Sequence, residues 1–386
     1  MYSSVGGTSN VAIGDEALTS LTVGNNNVAV GPGSLGGYQT GNNLTAVGAF
    51  ALFHNTSGAN NSAYGYESLQ ESTTGTGNTG VGNLTLRNNI GGNNNTAIGY
   101  QALNANISGS QNTATGQMSL VANTTGLQNT ATGVSALQDN TNGTGNTASG
   151  AFSLFVNSSG SANVAVGTAA LQDNQTGVEN TGVGSEALSG NATGSYNTAL
   201  GYLATVTVDG LTNATALGFE ATVDASNKVR IGNSAVTVIE GQVPFTTPSD
   251  GRYKFNVEEN VKGLDFILKL RPVTYQFDVQ RFDAQLARRS GQNSYALPAA
   301  YAEATRMRRS GFIAQEVEKA AAASDYDFSG IVRPATDQDH YSLSYEAFVV
   351  PLVKAVQEQQ QIILEQDRKI ADLQQQIDDI KKLIQK

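Results

Sequence analysis

Thirteen glycines recur every 17 residues, from Gly14 to Gly218, without a single insertion or deletion. We call them the marker glycines and number the other positions of the unit from them. A unit that keeps its length over 13 copies indicates that each copy stacks on the next, because an insertion in one would break its contacts with both neighbours. The chain is therefore predicted to contain a solenoid.

Four further positions of the unit are nearly uniform. Position −4 is Asn in 11 of the 13 units, and position −2 is always Ala or Gly. Position +4 is Leu from Leu18 to Leu188, after which Thr205 and Thr222 replace it. Position +10 is a second glycine from Gly24 to Gly194. These positions define the side chains that would form columns in a stack.

The alternation of Thr or Val, Ala, and Val or Ile before the marker glycine favours a β-strand over a helix. Two glycines per unit indicate two tight turns, so we expect two short strands and two turns in each unit. Strands stacked about 4.8 Å apart would give a rod on the order of 58 Å long. Residues 1–222 are thus predicted to form a parallel β-roll with Leu and Ala ladders and a ladder of stacked Asn amides.

The small side chains of the unit leave one chain little interior, so we expect the roll to gain stability by packing against identical chains. The segment Asn95-Thr96-Ala97-Ile98-Gly99 and its variants resemble the head repeats of trimeric autotransporter adhesins. This resemblance covers residues 1 to about 222, although the 17-residue unit is longer than that of the family. It implies a left-handed parallel β-roll that assembles as a homotrimer.

The 17-residue spacing ends after Gly218, because Ala235 occupies the next marker position. Val229–Gly232 and Val236–Ile239 alternate like two short strands that close the stack. Val243–Pro248 then resembles an extended linker, with a proline at each of two positions. Residues 223–248 are therefore predicted to be a cap and a linker.

Charge divides the chain at residue 248. Residues 1–248 contain 12 acidic and 3 basic side chains, whereas residues 249–386 contain 20 and 19. No stripe of Lys and Arg is available to neutralise phosphates, which argues against nucleic acid as a partner. The chain has no Cys and only two histidines, His54 and His340, so thiolate sites are excluded and we expect neither a metal ion nor a cofactor.

No apolar run approaches 18 residues, so we expect no membrane-spanning segment. Met1–Val5 has neither the basic nor the apolar region of a signal peptide. The first strand pattern ends at Gly14, so the chain begins within a repeat unit. We therefore expect further fibre or a baseplate component upstream.

Residues 249–348 contain the pattern of a small α+β domain. Gly263–Leu270 has the spacing of a short amphipathic helix, and Val273–Phe277 alternates as a strand. Residues 281–310 are predicted to be helical or loop-like, and Gly311–Glu318 begins another helix.

These segments, in this order, resemble the C-terminal intramolecular chaperone domain of endosialidases and phage tail fibres. The family pattern Ser-Asp-x-Arg-x-Lys corresponds to Ser249–Lys254, and Gly-x-Ile-Ala-Gln-Glu-Val to Gly311–Val317. A Tyr-containing strand follows at Tyr341–Phe348, and a trimeric coiled coil closes the pattern. The resemblance implies an extracellular fibre of a phage or phage-like particle, or of a bacterial surface.

Residues 349–386 repeat with a period of seven. Every a position is Val or Ile, and the d positions are Leu, Gln or Ile, a pattern that disfavours a plain dimer and allows a trimer. We predict a trimeric coiled coil, the alternative being an amphipathic helix packed on its own domain. The a positions are Val349, Val356, Ile363, Ile370, Ile377 and Ile384, and the d positions are Leu352, Gln359, Gln366, Leu373 and Ile380.

Ser249 and Lys254 are the candidate catalytic pair. In the family that residues 249–386 resemble, the corresponding serine and lysine cut the chain just before the serine, here between Pro248 and Ser249. A lysine acts as a general base only where burial lowers its pKa, so trimer assembly is the expected trigger. Spacing alone does not favour the pair, because residues five apart lie on opposite faces of a strand. The alternative is a turn at Ser249-Asp250 with Lys254 in solvent.

Other polar and aromatic residues of the roll are weaker candidates. Asp139 and Asp173 share a repeat position two coils apart, about 9.6 Å by strand spacing, near the span that inverting glycosidases use. Nothing near them in the sequence would raise the pKa of one carboxyl group. His54 is predicted to be a solvated loop residue. The aromatics that would line a sugar-binding face, or else lie singly on the rod, are Phe50, Phe53, Tyr64, Tyr66, Tyr100, Phe152 and Phe155.

These features predict the distal part of a homotrimeric tail fibre or surface fibre that binds a glycan receptor. Near-identical units can pair out of register at similar energy, so the C-terminal domain is expected to set the register of the three chains. The alternatives are a polysaccharide-depolymerising tailspike enzyme and a bacterial cell-surface adhesin. Self-cleavage before Ser249 is compatible with the fibre.

Overall fold

The computed structural model of the chain describes residues 6–37, 39–290, 298–334, 336 and 339–384. Met1–Val5, discussed above, and residues 291–297 of the segment predicted to be helical or loop-like lie outside the described residues. The chain forms two compact units. The first contains the residues up to Val236 and Val279–Tyr301, and the second contains Thr237–Asp278 and the residues from Ala302 onward.

The first unit contains a 14-stranded parallel sheet. Each strand pairs with the strand one 17-residue unit further on, so that Val28 pairs with Thr45, and the predicted parallel β-solenoid is confirmed. The final step is shorter, since Thr215 pairs with Val229. The strands of this sheet are β1 Val11–Ile13, β2 Val28–Val30, β3 Thr45–Val47, β4 Ser62–Tyr64, β5 Thr79–Val81, β6 Thr96–Ile98, β7 Thr113–Thr115, β8 Thr130–Thr132, β9 Thr147–Ser149, β10 Val164–Val166, β11 Thr181–Val183, β12 Thr198–Leu200, β14 Thr215–Leu217 and β16 Val229–Ile231; β13 Thr205–Val206 and β15 Thr222–Val223 form a separate two-stranded sheet.

The prediction of two strands per unit is wrong for most units. After the marker glycine the backbone takes positive φ at positions +2 and +4, as at Phe50 (57°) and Leu52 (50°). The segment still stacks by hydrogen bonds, because the Leu52 amide donates to the Ser68 carbonyl at 3.0 Å. Among the described residues, extended second strands form only where Thr205 and Thr222 replace Leu, since β-branched residues disfavour positive φ.

The predicted two-strand cap is correct in its first half only. Val229–Ile231 is the last strand of the sheet. Val236–Ile239 belongs to no ladder of the described residues, and its large apolar side chains are exposed.

The interior of the solenoid is enclosed by one chain. The Leu side chains at position +4, from Leu18 to Leu188, are at most 1% exposed, and the Ala side chains at −2, such as Ala97, are buried beside them. The expectation that one chain has little interior is therefore wrong, because turns on all sides of each coil cover the Leu column.

Buried Asn side chains form two columns beside the leucines. In the predicted column at −4, Asn129 Nδ2 donates to Asn112 Oδ1 at 3.1 Å and to the Gly143 carbonyl at 2.8 Å. A second column, which was not predicted, lies at +7, where Asn140 Nδ2 donates to Asn123 Oδ1 at 2.8 Å and to the same Gly143 carbonyl at 3.1 Å. Every coil is thus joined to the next through amides inside the solenoid.

The two glycines of the unit have different roles. The marker Gly133 has φ of 136°, and a Cβ there would lie 2.5 Å from the Gly150 carbonyl of the next coil. Gly143, at +10, needs no positive φ, but a Cβ would collide with the Gly160 carbonyl and the Asn140 amide. The first glycine allows a turn, and the second leaves room for both Asn columns.

The elements after the solenoid confirm most of the predicted pattern. The helix after Gly263 is present but short, the strand at Val273 and the helix after Gly311 are present, and the segment before Gly311 ends in an unpredicted strand. Phe266, Phe328 and Phe348 form the buried centre of the second unit. The elements are α1 Leu264–Ile267, β17 Val273–Gln276, α2 Val279–Ser290, α3 Pro298–Arg306, β18 Arg308–Gly311, α4 Ala314–Ala323, β19 Ile331–Val332, β20 Ser342–Leu343 and α5 Val349–Ile384.

Helix α5 is 36 residues long and contacts its own unit only near its start. Pro351 and Ala355 are buried, and Glu358 accepts a hydrogen bond from the Leu264 amide at 2.7 Å. The apolar side chains at the a and d positions are between 42% and 79% exposed. The alternative of a helix packed along its length on its own domain is therefore wrong, and the seam is free to bind other chains.

We expect Ser72→Asn to stabilise the solenoid. Ser72 interrupts the +7 column, and both its hydroxyl and Asn55 Oδ1 are buried without a partner among the described residues. An Asn amide there would reach Asn55, as its equivalents do elsewhere, which should raise the free energy of unfolding by about 1–3 kcal/mol. Guanidinium unfolding measures this. The control, Ser57→Asn on an exposed turn, should have little effect, and equal effects would contradict the ladder argument.

We also expect Ala162→Gly to stabilise the solenoid, by about 1 kcal/mol. Ala162 is exposed with φ of 57°, at the position where Gly145 has φ of 71°. The same change at Ala151, which is not at positive φ, should instead cost about 0.5–1 kcal/mol. The melting temperature should rise for Ala162→Gly and fall for Ala151→Gly. Shifts of the same sign would contradict the assignment of backbone strain to Ala162.

Candidate functional site

A single turn separates the two candidate catalytic residues. Asp250 precedes the 3-10 turn Gly251–Tyr253 and accepts a hydrogen bond from the Arg252 amide at 2.9 Å. Its carboxylate also binds the Arg252 guanidinium at 2.6 Å, and this hydrogen bond lowers the pKa of Asp250 and raises the pKa of Arg252. The segment therefore bends where a strand would continue.

The bend brings Ser249 and Lys254 together. Lys254 Nζ lies 2.7 Å from Ser249 Oγ and donates a hydrogen bond to it. The two side chains do not lie on opposite faces of a strand, as their spacing predicts, because the residues between them form a turn. A neutral amine at this distance would accept the hydroxyl proton, which is the geometry that a serine nucleophile and its base require.

The segment around the pair is exposed. Ser249 and Lys254 are both exposed, and so are the large apolar side chains Phe245 (87%), Tyr253 (80%) and Phe255 (83%). Large apolar side chains that are exposed so close together in the sequence are normally covered by another surface. Nothing in the described part of the single chain removes the lysine from water.

Helix α2 packs at the last strand of the solenoid, within the first unit. The Arg230 guanidinium lies 5.5 Å from the centre of the Phe282 ring, and the Ser234 hydroxyl donates to the Asp283 carboxylate. Burial lowers the pKa of Arg230, while Asp224 and Asp283 oppose this shift. Val279 of the helix is fully buried.

Sequence reasoning missed this contact, although one signal was present. Arg230 pairs with Ala216, at the inward position that is Ala or Gly in every earlier unit. A side chain of that size fits inward only at an end of the stack, where no further coil lies beyond it. It therefore marks the last coil and the surface that another element must cover.

The weaker candidates of the roll do not form one site. Asp139 and Asp173 lie two coils apart with Val156 at the same position of the coil between them. The expectation that nothing raises the pKa of either carboxyl group is wrong for Asp173, whose pKa is raised by burial. No group of three or more acidic or His side chains that could hold a metal ion occurs among the described residues.

His54 is exposed, as predicted, but it is not alone, since its Nδ1 lies 2.8 Å from Glu71 Oε2 in the next coil. Phe50 and Phe53 pack edge to face at 5.6 Å, and Phe152 and Phe155 repeat this pair at the same positions. Tyr64, Tyr66 and Tyr100 are exposed at other positions of the unit. The aromatic residues therefore do not share one face.

No helix within the described ranges is long and apolar enough to cross a membrane. Residues 249–326 match the family model described as chaperone of endosialidase. The match begins at Ser249, immediately after the predicted cleavage point, and includes α2. None of the curated proteins compared with the chain matches it. The chain therefore joins a parallel β-solenoid of 17-residue units to a segment, residues 249–326, that matches the chaperone-of-endosialidase family.

Proposed function

We propose that the chain is the distal part of a homotrimeric, extracellular tail fibre or related surface fibre. In this proposal the solenoid is the shaft that attaches to a glycan receptor, and residues 249–386 are the intramolecular chaperone that assembles it. The observation that carries the proposal is the packing of α2, which belongs to the matched chaperone segment, against the last strand of the solenoid. An element that recognises one end of a repetitive shaft is suited to starting its assembly.

The near-identical units of the shaft are the reason that its assembly needs a chaperone. Each coil offers its neighbour the same Asn, Leu and Gly columns, so a shift of two chains by one unit exchanges nearly equivalent contacts. Arg230 is unlike the inward residue of any other coil, so α2 has one place to pack. The exposed seam of α5 would join the three chains, and the shafts would then assemble in phase.

Self-cleavage is a second function that a specific observation favours, namely the 2.7 Å contact between Lys254 and Ser249. With the lysine neutral, its amine takes the hydroxyl proton, and Ser249 Oγ attacks the carbonyl carbon of Pro248. The bond from that carbon to the Ser249 nitrogen breaks as the nitrogen gains a proton. Water then hydrolyses the ester, leaving a carboxylate on Pro248. Burial of the exposed pair on assembly would favour the neutral lysine.

We expect the wild-type protein to release a fragment that begins at Ser249, detectable by mass spectrometry. Ser249→Ala and Lys254→Met should abolish it, because the first removes the nucleophile and the second the base. Lys262→Met removes a charge from the same domain and should leave cleavage unchanged. Wild-type protein that forms trimers yet contains only intact chains would refute self-cleavage without affecting the fibre proposal.

We expect the chain to be a trimer, and Ile363→Asp to reduce the trimeric fraction at least tenfold at low micromolar concentration. The substitution places three carboxylates at one level of the proposed seam, where burial of charge is unfavourable. Gln361→Asp adds the same charge at a position outside the seam and should have little effect. Sedimentation equilibrium gives the masses, and a wild-type monomer would exclude the proposed assembly.

A further inference from the structure

The outer surface of the 14-stranded sheet is regular over its whole length. In each strand the middle residue points inward, and positions −3 and −1 are at least partly exposed. Fourteen strands give 28 outward positions, of which 15 are Val, Ile, Leu or Tyr and the other 13 are Thr or Ser. Exposed apolar examples run from one end of the sheet to the other: Ile13, Tyr64, Val81, Ile98, Val166, Leu200 and Ile231.

Charged side chains lie elsewhere on the coils. Acidic residues of the roll occur at +1 and +2 (Asp15, Glu67), at +6 (Glu71, Asp139), at +8 (Asp209) and at −5 (Glu179). None of the 28 outward strand positions is charged. Residues 1–248 contain nine more acidic than basic side chains, so shafts lying side by side would repel one another unless the acids face away from the contact. An uncharged centre with charges at its margins is also the usual arrangement of a protein interface.

The turn side of the coil has a different character. Positions +8 and +9 are mostly Thr or Ser, as at Thr124, Thr125 and Thr141. The Thr124 hydroxyl donates to the Thr141 carbonyl at 2.9 Å, and the Thr141 hydroxyl repeats this contact one coil later. Ile90 and Ile107 are exposed apolar side chains at +8, but most of this side is polar and already bonded along the stack, so it gains less from burial than the sheet face does.

We propose that the shaft is assembled through this sheet face, with a second and a third copy of the chain as its occupants. The proposal rests on the homotrimer proposed above and names the surface that holds its shafts together. The faces of the three copies meet along the fibre axis, so positions −3 and −1 become the shared interior and the turns face solvent and receptor. In a cyclic trimer, identical residues of the three chains then lie at the same level around the axis.

The size of this face explains why the shaft needs help to assemble. Thirteen steps of about 4.8 Å and a width of roughly 7 Å give a contact strip on the order of 400 Å² per chain. Stable interfaces bury about 800 Å² per partner. The strip is too small to hold the chains by itself, so the contact depends on chains already joined by α5, and it closes as the shafts align.

Single cysteine substitutions test the proposal, because the chain has no Cys and any disulfide must come from the introduced residue. Thr115→Cys, Thr132→Cys and Ser149→Cys place a thiol at position −1 of three consecutive strands, and Thr141→Cys places one on a turn. After mild oxidation, a non-reducing gel should show a covalent dimer for at least one strand variant. Since two of three thiols can pair, at most about two chains in three should be cross-linked. Thr141→Cys should remain monomeric on the gel.

A second measurement covers the case in which oxidation is blocked by geometry. Thr132→Lys should lower the melting temperature of the trimer by several degrees more than Thr141→Lys, because only the first buries a charge between copies. Native mass spectrometry of each variant gives its oligomeric state, which tests the homotrimer separately from the assignment of the sheet face. A trimer that cross-links through Thr141→Cys, or that shows no strand cross-link and equal melting of the two Lys variants, overturns the sheet-face assignment. A wild-type monomer overturns the homotrimer itself.

Discussion

The hydrogen bonds that join one coil to the next through buried amides are the constraint on which the rest of the molecule depends. Asn129 and Asn140 both donate to the carbonyl of Gly143, and each also bonds the Asn of the preceding coil. These bonds can form only if every coil has the same length, which is why the 17-residue spacing admits no insertion. They also require a residue without a side chain at position +10, because a Cβ would occupy the space of the amides.

The identical units stabilise the solenoid, but they also allow neighbouring chains to pair out of register. A single chain buries its Leu, Ala and Asn columns except at the first coil, where Asn10 and Ala12 are half-buried, so the solenoid does not need a partner to have an interior. The side of the sheet that faces outward and the seam of α5 are different, because they expose apolar side chains in long regular rows. Contacts made by such rows are strong only in register, and the rows themselves contain little that fixes the register. The contact of Arg230 with Phe282 supplies a unique point at the end of the repeat.

The candidate pair illustrates how a local turn changes a chemical argument. Strand geometry predicts that Ser249 and Lys254 lie apart, and the carboxylate of Asp250 reverses this by binding the amide and the guanidinium of Arg252. The resulting bend places the lysine beside the serine. The sequence contains Asp250 and Arg252, but their mutual contact depends on backbone dihedral angles that residue spacing does not specify.

Periodicity by itself determined the parallel solenoid, its unit length, the Leu and Ala columns, the first Asn column and the division of the chain at the end of the repeat. These follow because a strict period forces equivalent residues into equivalent places. Only the tertiary structure decided that Phe50 and Leu52 take positive φ in place of a second strand, that His54 pairs with Glu71, and that α2 packs on the last coil. Such features arise from contacts between coils or between segments far apart in the chain, and these contacts outweigh the local preferences that a sequence pattern reports.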